Sequence, residues 1–310
     1  MTAESLTVGG TVRKRRGVRE VRKAVEGGIQ VVFLLCGTLA VGFVLLISIY
    51  LILSGLPAIR QIGLADFLFG RVWDPTNATT GAEFGILPFI LTSIYGTAGA
   101  VVLGVPVGLL TAVYLAKIAP PKAAVAIRTA VQLLAGIPSV VYGLVGMIVL
   151  VPAIQRTFSL SSGACLLAAM IVLAIMILPS IINVAENALR AVPKEYEEAS
   201  LALGATKLET YFKVTLPAAG SGVAAAIVLG VGRAIGEAMA IIMVSGNVSN
   251  MPSVFAPVRF LTTGIVSGMG YAQVGSLYHQ ALFSIGLVLF LFIMLINVLL
   301  NVLIKKKGDA

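Results

Sequence analysis

The sequence predicts an all-α integral membrane protein with six transmembrane helices. Of its 310 residues, 58% are hydrophobic and 11% are charged, whereas a soluble domain carries roughly 25% charged residues. Mean hydropathy is +1.02. The apolar residues form six stretches of about the length that a helix needs to cross a bilayer. These stretches are about 29–53, 86–116, 130–151, 163–185, 218–244 and 280–304.

The chain begins with a basic tail, 1–28, followed by the first apolar stretch. A signal-peptide core is roughly 7–15 residues long, so the longer stretch 29–53 is predicted to remain as a transmembrane helix. The mixed segment 54–85 contains Pro57 and Trp73 and is predicted to be an extramembrane loop.

The later spans alternate with shorter connections. The third span is interrupted at Ile137-Pro138, and a proline inside a transmembrane helix is tolerated where neighbours satisfy the freed carbonyl. A short loop, 152–162, and a second mixed loop, 245–279, are predicted on the same side as 54–85. A basic tail, 305–310, ends the chain.

The basic residues predict the orientation of the helices. If the N-terminus is cytoplasmic, 17 of the 22 Lys and Arg residues fall in cytoplasmic segments and four in external loops. Cytoplasmic loops carry the excess of Lys and Arg. We therefore expect both termini and the segment 186–217 to lie in the cytoplasm. This distribution explains the net charge of +9 better than a nucleic-acid partner does.

No pattern in the sequence predicts a metal or a cofactor. Cys36 and Cys165 each lie in an apolar stretch and are predicted to act as small hydrophobic residues. The only histidine, His279, is predicted to lie at an interface. No G-x-x-x-x-G-K-[ST] motif occurs, so nucleotide binding by this chain is not expected.

The segment 186–217 is hydrophilic and reads as two short helices bent at Gly204, a residue that can end a helix in the left-handed conformation. Thr206 is predicted to cap the second helix together with Glu209, and Pro217 is predicted to end it. Glu186 and Arg190 are predicted to form a solvated ion pair. The segment either lies on the lipid surface as an amphipathic pair or docks a cytoplasmic partner.

The spacing in this segment favours docking. Glu198-Ala199-Ser200 is followed after three residues by Gly204, and after nine more by Val214-x-Leu216-Pro217. This pattern resembles the EAA loop of ABC-importer permeases, with Ser200 and Val214 as mild departures. The resemblance implies that the loop seats in a groove of an ATPase subunit. The coupling residues it implies are Glu198, Ala199, Gly204 and Thr206.

The fifth span contains Arg233 and Glu237, four residues apart. An arginine at membrane depth costs at least about 2.5–3.5 kcal/mol on insertion scales, and an ion pair with Glu237 would offset that cost. Gly232 and Gly236 are predicted to allow close helix contact. The pair either locks helix packing or lines an anion pathway, in which the guanidinium matches phosphate or carboxylate oxygens. Ser139 and Asn247 are further candidates for the pathway.

The stretch 29–304 resembles the PstC-type permease subunits of bacterial phosphate ABC transporters. The segments that carry the likeness are 84–88, 119–120, 136–143, 198–206 and 232–237. The resemblance implies a MetI-like permease fold, and phosphate moving past Arg233 and Glu237. It also implies three partners: a dimer of ATPase subunits, a second, PstA-like permease, and a periplasmic or surface phosphate-binding protein.

Two other functions remain open from the sequence. A permease of the same superfamily for sulfate or molybdate would keep the EAA loop and differ in its pathway. A secondary transporter or membrane signalling subunit would work without an ATPase, but the EAA spacing and the scarcity of acidic residues inside the spans disfavour it.

Overall fold

The computed structural model describes residues 8–76 and 81–308, and within them the one sheet is a short hairpin. The predicted all-α class is confirmed. The helices are α1 (Val8–Ile62), α2 (Leu64–Phe69), α3 (Leu87–Val113), α4 (Pro121–Gly136), α5 (Ser139–Val145), α6 (Val151–Thr157), α7 (Leu166–Ala191), α8 (Lys194–Ala202), α9 (Lys207–Thr210), α10 (Leu216–Ala218), α11 (Gly220–Gly236), α12 (Met239–Val244), α13 (Leu261–Met269) and α14 (Leu277–Gly308). Three π-helical turns extend or join them: Tyr114–Ile118, Gly146–Leu150 and Tyr211–Thr215.

Among the described residues, five helical segments are long and apolar enough to cross a membrane. They are Glu26–Ile62, Leu87–Ile118, Ser139–Thr157, Leu166–Ala191 and Leu277–Leu299. A sixth results if Lys207–Ala218 and Gly220–Gly236, which meet at 74°, form one bent span. Residues 1–7 of the predicted N-terminal tail and 309–310 of the C-terminal tail lie outside the described residues.

The chain divides into two compact units, Met1–Leu53 and Ser54–Ala310. In the first unit, the apolar side chains of α1 between 29 and 53 are exposed except for the partly buried Leu51, as expected for a helix surrounded by lipid. The second unit holds the packed helices and all the candidate site residues.

The predicted third span, 130–151, is wrong in its boundaries. Helix α4 ends at Gly136, and a new helical stretch runs from Ser139 to Thr157. Pro138 causes the break, because the residue before a proline is pushed out of the helical region, and Ile137 is extended with φ −72° and ψ 127°. The predicted loop 152–162 is therefore helical as far as Thr157.

The predicted fifth span, 218–244, is broken twice. Pro217 does not end the preceding helix as predicted, since helical structure continues through a π turn to Ala218. The chain then bends at Ala219. The second break separates α11 from α12 at Glu237-Ala238.

Helix α7 forms the centre of the second unit, with α3 and α11 packed against it. A Cβ on Gly104 of α3 would lie 2.9 Å from Ile177 of α7, and one on Gly108 would lie 2.8 Å from Ile181, so a larger residue at either position would force α3 or these isoleucines to shift. Gly230 of α11 meets Ile181 in the same way, at 3.0 Å. Small residues at such contacts let the backbones of membrane helices come close.

The predicted helix contact through Gly232 and Gly236 is not found. A Cβ on either glycine would meet no atom of the described chain within 4 Å. The glycines that bring α11 close to α7 are Gly222, where a Cβ would overlap with Cβ of Ala188, and Gly230, both on a different face from Gly232. The side of α11 that carries Gly232 and Gly236 is therefore open in this subunit.

The two mixed segments predicted as loops contain ordered structure. In 54–85, β1 (Trp73–Asp74) pairs with β2 (Glu83–Phe84), and Trp73 packs its ring against Phe84, Phe89 and Tyr278. In 245–279, the chain forms α13. Carbonyls of Ala256 and Val254 accept hydrogen bonds from the first amides of α7, which have no partner within the helix.

Candidate functional site

Arg233 lies in the last turn of α11 and is half-buried. Its Nη1 donates a hydrogen bond to Oγ of Ser180 on α7 at 3.2 Å. Among the described side chains, no carboxylate oxygen lies within 4.0 Å of its guanidinium. A guanidinium has five N–H donors, so a single hydroxyl satisfies a small part of its capacity. In the part of the chain that the structure describes, the side chain is held by a neutral group and its charge has no carboxylate partner.

Glu237 does not form the predicted ion pair with Arg233. Its backbone is extended, with φ −74° and ψ 133°, and a contact between residues four apart requires an unbroken helix. Its Oε1 accepts a hydrogen bond from the amide of Ala240 at 3.0 Å. Its carbonyl oxygen accepts one from Oγ1 of Thr262 on α13 at 2.7 Å. The prediction of an internal pair is wrong, and Glu237 instead stabilises the break and the start of α12.

Two helix breaks lie next to each other in this subunit. One separates α4 from α5, and the other separates α11 from α12. Gly143 of α5 packs directly on α12, where a Cβ would lie 2.9 Å from Cα of Ala240. In membrane proteins, non-helical backbone at membrane depth is tolerated where it is buried in protein or lines a water-filled cavity, and broken helices are a feature of many transporter substrate sites.

Tyr142 of α5 fastens the α4–α5 break. Its hydroxyl donates to the carbonyl of Leu134 on α4 at 2.7 Å, across the break. Ser139, one turn before Tyr142, is half-buried at the start of α5. Within the described chain its hydroxyl makes no hydrogen bond to Arg233 or Glu237, so its role in the pathway stays a prediction.

Asn247 lies apart from these residues. It adopts a left-handed conformation with φ 51° and is clamped by Arg259, whose Nε donates to its side-chain oxygen at 3.0 Å and whose Nη2 donates to its carbonyl at 2.7 Å. Arg259 in turn lies over the ring of Phe89, 5.7 Å from its centroid. The contacts of Asn247 therefore anchor the 245–260 loop, and the structure does not bring it to Arg233.

The segment 186–217 forms the predicted pair of short helices. Gly204 has φ +87°, which is the left-handed conformation expected after the first helix. Thr206 caps the second: its Oγ1 accepts from the amide of Glu209 at 3.3 Å, while Oε2 of Glu209 accepts from the amide of Thr206 at 3.1 Å. These bonds hold the pKa of Glu209 below its ordinary value. The predicted capping box is confirmed.

The tip of this segment presents an exposed apolar surface. Glu198 and Ala199 of α8 are exposed. Leu203, which precedes the bend, is 90% exposed, and Leu208 of α9 is 59% exposed. Exposed apolar side chains grouped at one helical corner are typical of a surface that another protein covers. Leu203 could not be singled out from the sequence, because the residues before it, Leu201 and Ala202, are also apolar.

The base of the same segment is joined to the end of α3, in a set of contacts that we call the latch. Nζ of Lys117 lies 2.5 Å from Oε1 of Glu197, and both side chains are mostly buried. Oγ1 of Thr215 donates to the same carboxylate at 3.3 Å, and the hydroxyl of Tyr211 donates to the carbonyl of Lys117 at 3.3 Å. These contacts could not be predicted from the sequence, because Glu197 and Tyr211 are 80 and 94 residues away from Lys117 along the chain.

Glu186 and Arg190 form a pair, but the prediction that it is solvated is wrong. The side chain of Glu186 is 6% exposed, and its Oε1 lies 2.9 Å from Nε of Arg190 and 2.8 Å from Nε of Arg128 on α4. Nη2 of Arg190 also donates to the carbonyl of Leu115 at 3.2 Å. The contact between Arg128 and Glu186 was not predicted, because the sequence does not indicate that α4 packs against the end of α7.

The architecture and the sequence both have counterparts among known proteins. An inward-facing structure of the MetNI methionine ABC transporter matches with a TM-score of 0.54 at 22% identity, over 72% of this chain and 94% of that one. At this identity the likeness concerns the fold, and it confirms the predicted ABC-importer permease architecture.

Two relatives match over most of their length. The chain is 38% identical over 294 residues to the probable ABC transporter permease protein YqgH of Bacillus subtilis strain 168, covering 93% of each. It is 35% identical over 265 residues to the phosphate transport system permease protein PstC of Pasteurella multocida strain Pm70, covering 78% of this chain and 81% of that one.

The helices that carry Arg233, the latch and the exposed tip fall within one family profile. The profile of the binding-protein-dependent transport system inner membrane component matches residues 104–307. That match covers more than half of the chain and agrees with the relatives and the fold. The chain belongs to the family of binding-protein-dependent transport system inner membrane components.

Proposed function

We propose that this chain is the permease subunit of an ATP-driven importer that moves inorganic phosphate across the bacterial inner membrane. The observation that carries the proposal is the half-buried guanidinium of Arg233, which lies beside two helix breaks and has a neutral hydroxyl as its partner. The likeness to PstC of Pasteurella multocida, a phosphate transport system permease protein, supports the choice of anion.

The geometry suits transient binding of an oxyanion. Because Glu237 is used to cap α12, the charge of Arg233 stays available, and guanidinium donors match the oxygens of phosphate in a forked arrangement. Ser180 fixes the side chain without neutralising it. A site with one guanidinium attracts the anion into the membrane but does not enclose it, so that release remains possible.

The energy for transport comes from a partner. Permease subunits of this family are not themselves enzymes, and we infer that a dimer of ATPase subunits binds the exposed tip around Glu198, Ala199 and Leu203. Closure of the ATPases would push the tip, and the latch would pass the motion to α3. The distribution of Lys and Arg supports a cytoplasmic tip. A second, PstA-like permease and a phosphate-binding protein outside the membrane complete the assembly.

Uptake by cells tests the substrate. In a strain without other phosphate importers, co-expression of this chain with its partner subunits is expected to restore uptake of radiolabelled phosphate, and unlabelled phosphate should compete. Stronger competition by sulfate or molybdate would assign the chain to another oxyanion. Uptake that persists without an ATPase subunit would contradict the importer mechanism.

The latch makes a separate prediction about coupling. Replacing Lys117 with glutamine removes the ammonium partner of the Glu197 carboxylate, which is mostly buried. A buried charge without a partner is strongly destabilising, so we expect the latch to open. We expect the variant to hydrolyse about tenfold more ATP per phosphate transported, the equivalent of about 1.4 kcal/mol of lost coupling. Uptake and ATP hydrolysis measured on the same reconstituted complex give this ratio.

Two further variants sharpen the latch experiment. Exchanging the charges in Lys117→Glu with Glu197→Lys should restore much of the coupling. Lys122→Gln removes an exposed charge on the first turn of α4 and should leave the ratio unchanged. A normal ratio in Lys117→Gln would show that the ion pair does not transmit the motion.

A further inference from the structure

A polar stripe runs along one face of α7, which is otherwise apolar. Its members follow a helical spacing and occupy an arc of about a third of the helix circumference. They are Ser180, Asn183, Glu186, Asn187 and Arg190. The residues between them, such as Ile181, Ile182, Ala185 and Leu189, are buried in the packed core. Polar side chains in a membrane helix are costly and mark pathways more often than packing surfaces.

The stripe begins at the Arg233 site and ends in a cavity. Ser180 is the partner of Arg233, and Asn187 lies two helical turns further, about 10 Å along α7. There, a cavity of about 410 Å³ opens between α4 and α7. It is lined entirely by polar side chains: Arg128, Gln132, Asn183, Glu186, Asn187 and Arg190.

The charges in this cavity favour an anion. Glu186 uses one oxygen, Oε1, to hold Nε of both Arg128 and Arg190. Nη2 of Arg190 donates to the carbonyl of Leu115. Among the described residues, the other terminal nitrogens, both of Arg128 and Nη1 of Arg190, have no protein partner, and the three ionised groups sum to a net positive charge. Such terminal nitrogens, with amide groups beside them, are the donors that bind tetrahedral oxyanions. The carboxylate fixes both arginines and reduces their affinity.

We propose that this cavity is a second anion site, which takes phosphate from Arg233 along the α7 stripe and releases it on the cytoplasmic side. The proposal rests on the proposed function, since it assigns the residues of the exit route. A purely structural network that fastens α4 to α7 is the competing explanation. A lipid phosphate group could use the same donors.

Protection of a cysteine tests the site directly. In the assembled transporter with Cys36→Ser and Cys165→Ala, Asn187→Cys is treated with a membrane-impermeant maleimide in inverted membrane vesicles, which expose the cytoplasmic face. We expect inorganic phosphate to slow labelling several-fold relative to chloride at equal ionic strength. Lys122→Cys on α4, exposed and outside the cavity, is the matched control and should be labelled at the same rate in both salts.

Two charge variants separate an anion site from a structural network. Arg190→Gln should raise the phosphate concentration that gives half-protection about tenfold, the loss expected for one charge-assisted hydrogen bond. Glu186→Gln should lower that concentration, because it frees both arginines. A structural network predicts that both variants loosen the cavity and weaken protection alike. If Glu186→Gln does not assemble, Arg190→Lys, which keeps the charge, should shift the concentration less than Arg190→Gln.

Three results would overturn the proposal: no labelling of Asn187→Cys, labelling unaffected by phosphate, or both charge variants shifting protection in the same direction. The labelling is also measured without phosphate in reconstituted vesicles of phosphatidylcholine or phosphatidylglycerol. If Asn187→Cys is protected only in phosphatidylglycerol, the cavity binds lipid, and the proposal is overturned. The measurement is repeated with Arg233→Gln. Protection should persist there, so failure of the Arg233 pathway and failure of the inner site are distinguishable.

Discussion

Replacing Arg233 with glutamine is expected to lower phosphate uptake by at least about 100-fold while the complex still assembles. Charge-assisted hydrogen bonds contribute about 1.5–3 kcal/mol each, and 1.4 kcal/mol corresponds to a factor of ten, so loss of a forked contact has an effect of this size. Initial rates of radiolabelled phosphate uptake, with the amount of complex determined by copurification of the subunits, measure the effect.

Three matched variants separate charge from packing at this position. Arg233→Lys keeps the positive charge but loses the forked donors, and should retain part of the uptake. Ser180→Ala removes the hydroxyl that holds the guanidinium and should have a smaller effect than Arg233→Gln, since the charge remains. Glu237→Gln should lower uptake less than Arg233→Gln, since the amide oxygen can still accept the hydrogen bond from Ala240. Normal uptake by Arg233→Gln in an intact complex would rule out a pathway role.

Replacing Gly204 with proline is expected to separate this subunit from its ATPase. Proline fixes φ near −65°, whereas Gly204 has φ +87°, and it removes the amide that donates to the carbonyl of Leu201 at 3.0 Å. The corner that presents Leu203 would then change direction. We expect copurification of the ATPase subunit, and stimulation of its activity, to fall at least about tenfold, or about 1.4 kcal/mol in binding.

Gly275 offers a matched control for backbone strain. It also has a positive φ, +82°, and at both glycines a Cβ would find no atom within 4 Å. It lies in the turn between α13 and α14, away from the exposed tip. Gly275→Pro should therefore carry a comparable local strain and leave ATPase binding intact. Unaltered copurification and ATPase stimulation in Gly204→Pro would argue against docking through the tip.

The local features of the loop could be predicted from sequence because they depend on neighbouring residues. The capping box needs Thr206 and Glu209 three positions apart, and the bend needs a residue that tolerates a positive φ. Both conditions can be read directly from the local sequence, and both are met in the structure. The long apolar stretches predicted membrane helices for the same reason, since composition and length decide whether a helix can cross a bilayer.

The contacts of the charged residues could not be predicted in this way. Arg233 and Glu237 have the spacing of an ion pair, but α11 ends between them. The Glu237 carboxylate accepts a local hydrogen bond from the amide of Ala240, and its carbonyl accepts a tertiary one from Thr262 of α13. Glu186 looked like a solvated residue at the end of a span, yet α4 covers it and adds Arg128. In each case the break or the packing of a distant helix decides which groups meet.

The order of residues predicts the membrane class, the capped bend at Gly204 and the arginine on which the proposed pathway depends. The partners of the charged residues depend on how the helices pack: Ser180 holds Arg233, Lys117 and Glu197 join the segment 186–217 to the end of α3, and Arg128 shares Glu186 with Arg190. Periodicity and capping act over a few residues, whereas a buried charge takes its partners from whichever helices pack around it.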